Sequence, residues 1–311
     1  MSVELGRNLE DRQIAVFGGT SKIGSKFAIE AARRGAEIVA FERNPARFPL
    51  LPPDVDKRRI THVEGDITDK KAVFTAVQGR KLDTTINFAA VFNQSSDIGK
   101  SWPVNVQGEE HVLEASEEYS VKRHVFISTS GVFIEDNNAY KVTKLEAEKR
   151  VQESNIAEWV ILRYSNVIGT RDPNDLWNKP FITFRLGDKV IGIPKIPAKD
   201  DAPFPYVTLN TAVEATLASL NCSPNQTITV FDGVITVGKY LSAMQEMNEI
   251  DRLLKLPPVL MVRAIGIGNF ILGKRFPITY GTAKFLLDNP VLENETMERE
   301  LGIVSAPFDP V

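Results

Sequence analysis

Tyr140 and Lys144 stand four positions apart in YKVTK, which on a helix puts both side chains on one face, a turn apart. Such a pair can move protons. A free phenol has a pKa of about 10, and to give and take a proton near neutrality it must come down by about 3 pH units, equivalent to roughly 4 kcal/mol. A lysine ammonium about 4 Å away, at an effective dielectric of ~20, supplies an attraction of that order. Just upstream, the apolar run RHVFIST leads to the hydroxyls of Thr129 and Ser130, either of which can hold a substrate oxygen beside the phenol.

A second segment suits phosphate. FGGTSKIG follows directly on the apolar run QIAVF, placing Gly18, Gly19 and Gly24 where a strand turns into a helix. Glycines there permit a positive-φ turn, a close approach of backbone to a pyrophosphate and tight helix packing, while the new helix's N–H groups attract phosphate charge. Ser21 occupies the position of the middle glycine in that dinucleotide fingerprint. Either its Cβ crowds the pyrophosphate or its hydroxyl donates to it. Glu42 closes the next apolar run, 18 positions after Gly24, where a carboxylate can accept from both adenosine ribose hydroxyls and so favours NAD. Arg43 and Arg47 follow and could grip a 2′-phosphate, which leaves NADP open. Asp66, in EGDITD, is placed to accept from the adenine amino group or to cap a helix, a role that Thr68 or Asp69 could also take.

These groups need elements to position them. Apolar β-branched runs at 13–17, 37–41, 59–63, 83–90, 123–129 and 159–164 alternate with amphipathic stretches at 22–34, 69–78, 104–120 and 139–154. Short, unalternated strands followed by helices predict a parallel sheet covered on both faces, a doubly wound α/β fold. Residues 1–165 form this dinucleotide-binding core. Over 166–311 the rhythm breaks, with Pro173, Pro180, Pro194, Pro197, Pro203 and Pro205 marking irregular connections. That predicts a smaller, interleaved C-terminal substrate lobe, with some segments returning to the core. Within it, LPPVLMVRAIGIGNFILG (256–273) is interrupted by Arg263, and its charge-free part is about half a bilayer span. It reads as a buried or lid helix, with membrane-surface contact the lesser alternative.

Composition narrows the partners. The chain has 311 residues, 43% of them hydrophobic, enough for a full core. A net charge of -3 supplies no basic field, so nucleic acid is not expected to bind. Cys222 is the single cysteine and MSVELGRNLEDR lacks the apolar core of a signal peptide, so a reducing, cytoplasmic compartment is expected. His62, His111 and His124 are the only histidines and none has a metal-ligand spacing; all three read as structural or solvated, and no metal is expected.

Taken in order, FGGTSKIG, EGDITD, NFAA (87–90), VNVQGEEHVLEA (104–115), ISTSGVF, YKVTK with Glu146 or Glu148 after it, and LRYSNVIGTRDP (162–173) resemble the extended short-chain dehydrogenase/reductase family over about residues 12–220. The resemblance implies a Rossmann fold and a Ser/Thr-Tyr-Lys catalytic set. In it Tyr140 is the general acid/base, Lys144 binds the nicotinamide ribose and lowers the phenol pKa, and Thr129 supplies the hydroxyl with Ser130 in reserve. Asn105 is implied to act by positioning, and Ser165 and Asn166 to line the nicotinamide site. The implied cofactor set comprises Gly18, Gly19, Ser21, Lys22, Ile23, Gly24, Glu42, Arg43, Asp66, Ile67, Phe88, Ala89, Ala90, Asn105, Tyr140, Lys144, Tyr164, Ser165, Asn166 and Val167. The family often builds a homodimer through the helices that fall here on 104–120 and 139–154.

Within the family, sugar-nucleotide dehydratases carry an acidic pair just after the hydroxyl, where this chain has Ser130 and Gly131. Dehydration is therefore disfavoured. Sugar-nucleotide epimerases typically place an arginine ahead of the strand that leads into a late helix, a place taken by Phe204 or Pro205 in PFPYVTLNTAVEA (203–215). A charged diphosphate would lack a partner there. PYVTLNTAVEATLAS and the apolar stretch 256–273, followed by Pro277 and Tyr280, are instead similar to the 3β-hydroxysteroid dehydrogenase branch, which acts on hydrophobic alcohols. The expected function is NAD(P)-dependent interconversion of a secondary alcohol and a ketone on a small or medium, largely apolar substrate. A sugar or sugar-nucleotide epimerase is the nearest alternative, and a non-catalytic cofactor-binding scaffold or redox sensor the second.

Overall fold

Each of the six apolar runs is a strand in the computed structural model, which describes residues 8–92, 97–134, 138–169, 180–194, 199–254, 292 and 295–308. They are β1 (Gln13–Phe17), β2 (Glu37–Glu42), β3 (Ile60–Glu64), β4 (Thr84–Asn87), β5 (Arg123–Thr129) and β6 (Glu158–Tyr164). Between them run α1 (Lys22–Arg33), α2 (Lys70–Val77), α3 (Gly108–Glu118) and α4 (Ala139–Glu153). All six strands are parallel, in the order β6-β5-β4-β1-β2-β3. The order reverses between β1 and β4, and the crevice beyond the carboxyl ends of those strands is where such sheets take ligands.

Alternation along each strand divides the core. On β1, Ile14 and Val16 face a cluster built with Phe27, Ala28 and Ala31 of α1, whereas Ala15 and Phe17 face Val73, Ala76 and Val112 of α2 and α3. Both faces are therefore dry, which is why the strands carry no polar alternation. Phe126 and Ile161 pack against Ala147 and Val151 and seat α4 on β5 and β6. Phe17, Phe27, Phe41 and Phe126 are fully buried, each contributing roughly 1.5–3 kcal/mol relative to exposure.

Two elements depart from the expected bounds. β4 ends at Asn87 rather than Ala90, because the Asn87 Oδ1 accepts from the Ala89 N–H at 2.8 Å and bends the chain. The helix expected from residue 104 opens with a π-helical turn, Pro103–Gln107, before α3.

Beyond β6 lie β7 (Asn166–Ile168), β8 (Phe181–Leu186), β9 (Lys189–Pro194), β10 (Pro203–Thr208), α5 (Leu209–Ser219), β11 (Gln226–Val230), β12 (Gly233–Thr236), α6 (Val237–Met247), β13 (Arg252–Leu253) and α7 (Glu295–Leu301). Sheets β12-β10-β7 and β13-β9-β8 share a second core around Phe181, Phe204, Tyr206 and Tyr240. β11 returns to the large sheet as its seventh strand, beside β6, and α5 packs on α1. The stretch 256–273 lies outside the described residues. Among the described residues no helix is long and apolar enough to cross a membrane, and no group of three or more His, Cys, Asp or Glu could hold a metal ion.

Candidate active site

The turn after β1 needs glycine for two reasons at Gly18. Its φ is 82°, and a Cβ there would lie 2.7 Å from the Ala89 nitrogen, so the β1 and β4 turns touch through bare backbone. Ser21 caps α1: its Oγ accepts from the Gly24 N–H at 3.1 Å, and a Cβ on Gly24 would meet that Oγ at 2.7 Å. The serine thus does what a fingerprint glycine cannot, while its own hydrogen remains to donate. Ile23 packs on the core, Lys22 is exposed, and Phe88 lies against Phe27 with ring centroids 5.8 Å apart. Ala90 is exposed beyond Ala89.

At the end of β2 the Glu42 carboxylate is buried. Its Oε1 accepts from Nδ1 of His62 at 2.6 Å, while Oε2 has no partner and would lie 2.7 Å from a Cβ placed on Gly19. Burial pushes the Glu42 carboxyl up, and the His62 hydrogen bond and charge oppose it. An orphaned buried oxygen facing a bare glycine beside the phosphate turn fits the ribose hydroxyls of a dinucleotide. Arg43 and Arg47 are exposed. Asp66 accepts from the Thr68 N–H at 2.9 Å and hydroxyl at 2.8 Å, which holds its carboxyl below the usual range, with Arg43 adding to the effect. Asp69, not Asp66, caps α2, accepting from the N–H groups of Lys71 and Ala72. Ile67 is buried, and its carbonyl accepts from His111 Nδ1 at 2.9 Å.

Asn138 starts α4 by accepting from the Lys141 N–H at 2.9 Å, and the first turn carries Tyr140. One turn on, Lys144 is buried against the end of β5, its Nζ donating to the Ile127 carbonyl at 2.6 Å and lying 4.4 Å from the Phe126 ring centroid. Two residues beyond Ile127, Thr129 Oγ1 accepts from the Gly131 N–H at 3.0 Å and so caps the tight turn 130–133, with Ser130 buried beside it. Lys144 and the hydroxyl-bearing strand end therefore meet. In the NAD-free chain burial pushes the Tyr140 phenol up to about 12. Burial also brings Lys144 down to about 8, against the pull of the Glu109 and Glu148 carboxylates. Low polarity favours both neutral forms, and the ammonium is spent on a carbonyl. The ring of Phe92 stands edge-on to Tyr140, centroids 4.9 Å apart, and is 61% exposed.

Asn105, at the centre of the π-helical turn, donates to the Val91 carbonyl and accepts from the Val91 N–H, at 3.0 and 2.7 Å, and donates to Thr143 at 3.0 Å. Glu148 binds Arg163 through both oxygens and accepts from Ser128, fixing α4 to β5 and β6. Ser165 Oγ is buried without a partner. Three of the residues expected at the cofactor have side-chain partners within the chain. The Tyr164 hydroxyl donates to the Ala212 carbonyl at 2.9 Å and meets Thr216 Oγ1 at 2.6 Å, so its ring belongs to the α5 contact. Asn166 donates to the Pro205 carbonyl at 2.9 Å, joining β7 to β10, and Val167 packs on the large core. Sequence reasoning missed His62 and Thr143. His62 pairs in register with Ala40, two residues before Glu42 on the same face of β2, a relation visible only once β2 and β3 are aligned.

The parallel sheet, its phosphate turn at the switch point and the buried acid after β2 define a dinucleotide-binding α/β protein. Residues 14–187 match the NAD dependent epimerase/dehydratase family, and the chain belongs to it, as an extended short-chain dehydrogenase/reductase. A 3-beta-hydroxysteroid dehydrogenase of Mycolicibacterium neoaurum is 27% identical over 198 residues, covering 55% of this chain and 50% of that protein. A UDP-glucose 4-epimerase of Bacillus subtilis is 28% identical over 204 residues, covering 58% of this chain and 57% of that protein. The chain thus spans about half the length of the curated relatives it matches. Among solved structures, the Bordetella bronchiseptica enzyme WbmH in complex with NAD+ superposes with a TM-score of 0.69 at 16% identity, covering 94% of this chain and 93% of that one; the likeness is one of fold.

Proposed function

We propose that this chain is an NAD-dependent oxidoreductase that interconverts a secondary alcohol and a ketone on a small or medium, largely apolar substrate. The observation that carries the reading is at Phe204 and Pro205, where sugar-nucleotide epimerases typically hold an arginine. Phe204 is fully buried and stacked on Tyr240 with centroids 4.5 Å apart, and the Pro205 carbonyl is taken by Asn166. Both positions serve packing and offer a diphosphate no charge. The ring beside Tyr140 is an open aromatic one instead, Phe92, which is 61% exposed. The hydroxysteroid dehydrogenase relative supports the same substrate class.

Gly18 and Gly19 would admit the pyrophosphate, with Ser21 donating to it, and Glu42 would accept from the adenosine ribose. Ser165, with its orphaned hydroxyl, stands at the expected nicotinamide end. When bound, NAD supplies the hydride-accepting carbon and, oxidised, a positive charge that favours phenolate. Thr129 donates to the substrate oxygen through the hydrogen that its turn leaves unused, and Ser130 is the reserve donor. Tyr140 as phenolate takes the substrate hydroxyl proton in oxidation, and as the neutral phenol that the NAD-free chain favours it gives that proton back in reduction.

A second reading, a sugar-nucleotide epimerase, is supported by the UDP-glucose 4-epimerase relative, since the same residues can oxidise a substrate and re-reduce it on the other face. Reduced cofactor separates the two. With NAD and a panel of apolar secondary alcohols that includes a 3β-hydroxysteroid, NADH should accumulate, and with UDP-glucose nothing should happen. Conversion of UDP-glucose without net NADH would transfer the assignment to the epimerase.

A further inference from the structure

We propose that His62 is a positioning residue for cofactor discrimination, holding one oxygen of Glu42 so that the other is presented to the adenosine ribose. The inference rests on the reading that Glu42 meets that ribose, and it extends the site to a residue on the neighbouring strand.

Glu42 is 3% exposed, and its two oxygens have different surroundings. Oε1 receives the Nδ1–H of His62 at 2.6 Å. Oε2 is buried, lacks any partner and points at the bare Cα of Gly19. An unpaired buried carboxylate oxygen is costly, so its persistence beside a phosphate turn marks where a ligand hydroxyl belongs. His62 is itself fixed on two sides: β3 pairs it with Ala40, and Phe48 meets the imidazole edge-on with centroids 4.8 Å apart and planes at 72°. Rotation of the carboxylate would break the short bond to His62, so the ring sets the direction of Oε2.

The hydrogen bond also bears on charge. Burial at the end of β2 raises the Glu42 carboxyl, which favours the acid, and His62 pulls the other way. A carboxylate accepts from two ribose hydroxyls and repels a 2′-phosphate; a neutral acid does neither well. Arg43, immediately after Glu42, and Arg47 are exposed cations that a 2′-phosphate could then reach. Removal of His62 should therefore weaken NAD and relieve the barrier to NADP together.

The test is calorimetric titration of NAD and of NADP into the unmodified chain, His62→Phe, His62→Asn and Glu42→Gln, with thermal unfolding of each. His62→Phe keeps a ring against Phe48 and deletes the donor, whereas His62→Asn restores an amide N–H near the position of Nδ1. The ratio of NADP to NAD dissociation constants should fall about tenfold in His62→Phe and in Glu42→Gln and be largely restored in His62→Asn. Both cofactors share everything but the 2′-phosphate, so a general loss of folding would lower both affinities and leave the ratio in place. An unchanged ratio in His62→Phe with a collapsed one in Glu42→Gln would overturn the role of His62 alone. An unchanged ratio in Glu42→Gln would overturn the ribose reading beneath it. A loss in His62→Asn as large as in His62→Phe would overturn the hydrogen bond as the cause.

Discussion

The side-chain amide of Asn105 donates to the hydroxyl of Thr143 at 3.0 Å, and that hydroxyl donates onward to the Ala139 carbonyl at 2.7 Å. A π-helical turn after β4 is thereby tied to α4 between Tyr140 and Lys144, and Asn105 holds the Val91 backbone with its other bonds. Such turns often mark functional sites because the extra residue re-aims a side chain. Asn105→Ala leaves the part-buried N–H and carbonyl of Val91 without their partner and takes a donor from Thr143, whose own bond to the Ala139 carbonyl remains, so urea unfolding should show a loss of about 2 kcal/mol. Turnover should fall further than NAD affinity, since the cofactor's phosphate turn lies elsewhere.

Gly19→Ala tests the cradle at Glu42. The new Cβ would stand 2.7 Å from Oε2 and 3.1 Å from the Ala40 Cβ, in a backbone conformation open to alanine. The carboxylate must move away, so NAD should bind about tenfold more weakly while the melting temperature changes little. Calorimetry with differential scanning measures both.

For Ser21 the expected effect is on the helix more than on the cofactor. Its Oγ caps α1, so Ser21→Ala should cost about 1 kcal/mol of stability and Ser21→Gly only a few tenths. NAD affinity of Ser21→Gly should change by less than about 1 kcal/mol, the worth of a net neutral hydrogen bond.

Lys144 gives the NAD-free chain an alkaline signature. Its ammonium is lowered from 10.5 to about 8 by burial, so between those values the unfolded chain holds a proton that the folded one has lost. Stability from this group therefore rises with pH across that window. Tyr140, raised from 10.0 to about 12, acts in the opposite sense above pH 10, where the folded chain keeps a proton that the unfolded one gives up. Lys144→Met should flatten the rise below pH 10 in urea titrations, and it should also weaken NAD.

The doubly wound sheet was legible because both its faces are dry: QIAVF and RHVFIST could not be anything but buried strands, and β1 and β5 fall on the bounds read from sequence. Tyr140, Lys144 and the glycine turn were legible because local spacing on one helix or one turn decides them. The partner of the Tyr164 hydroxyl was not, since it lies on α5, some fifty residues later. His62 and Thr143 bear no local mark. Each acquires its partner only when separate elements align, β2 with β3 and the π-helical turn with α4.

Tyr140 is proposed to transfer the substrate proton in an NAD-dependent alcohol and ketone reaction. The most direct measurement of that transfer is the rate of NADH formation from a saturating apolar secondary alcohol by the unmodified chain and by Tyr140→Phe, at equal occupancy with NAD. Loss of the phenolic proton should slow turnover about 10²- to 10⁴-fold, with the NAD dissociation constant and melting temperature nearly unchanged. Undiminished turnover in Tyr140→Phe would show that another group carries the proton.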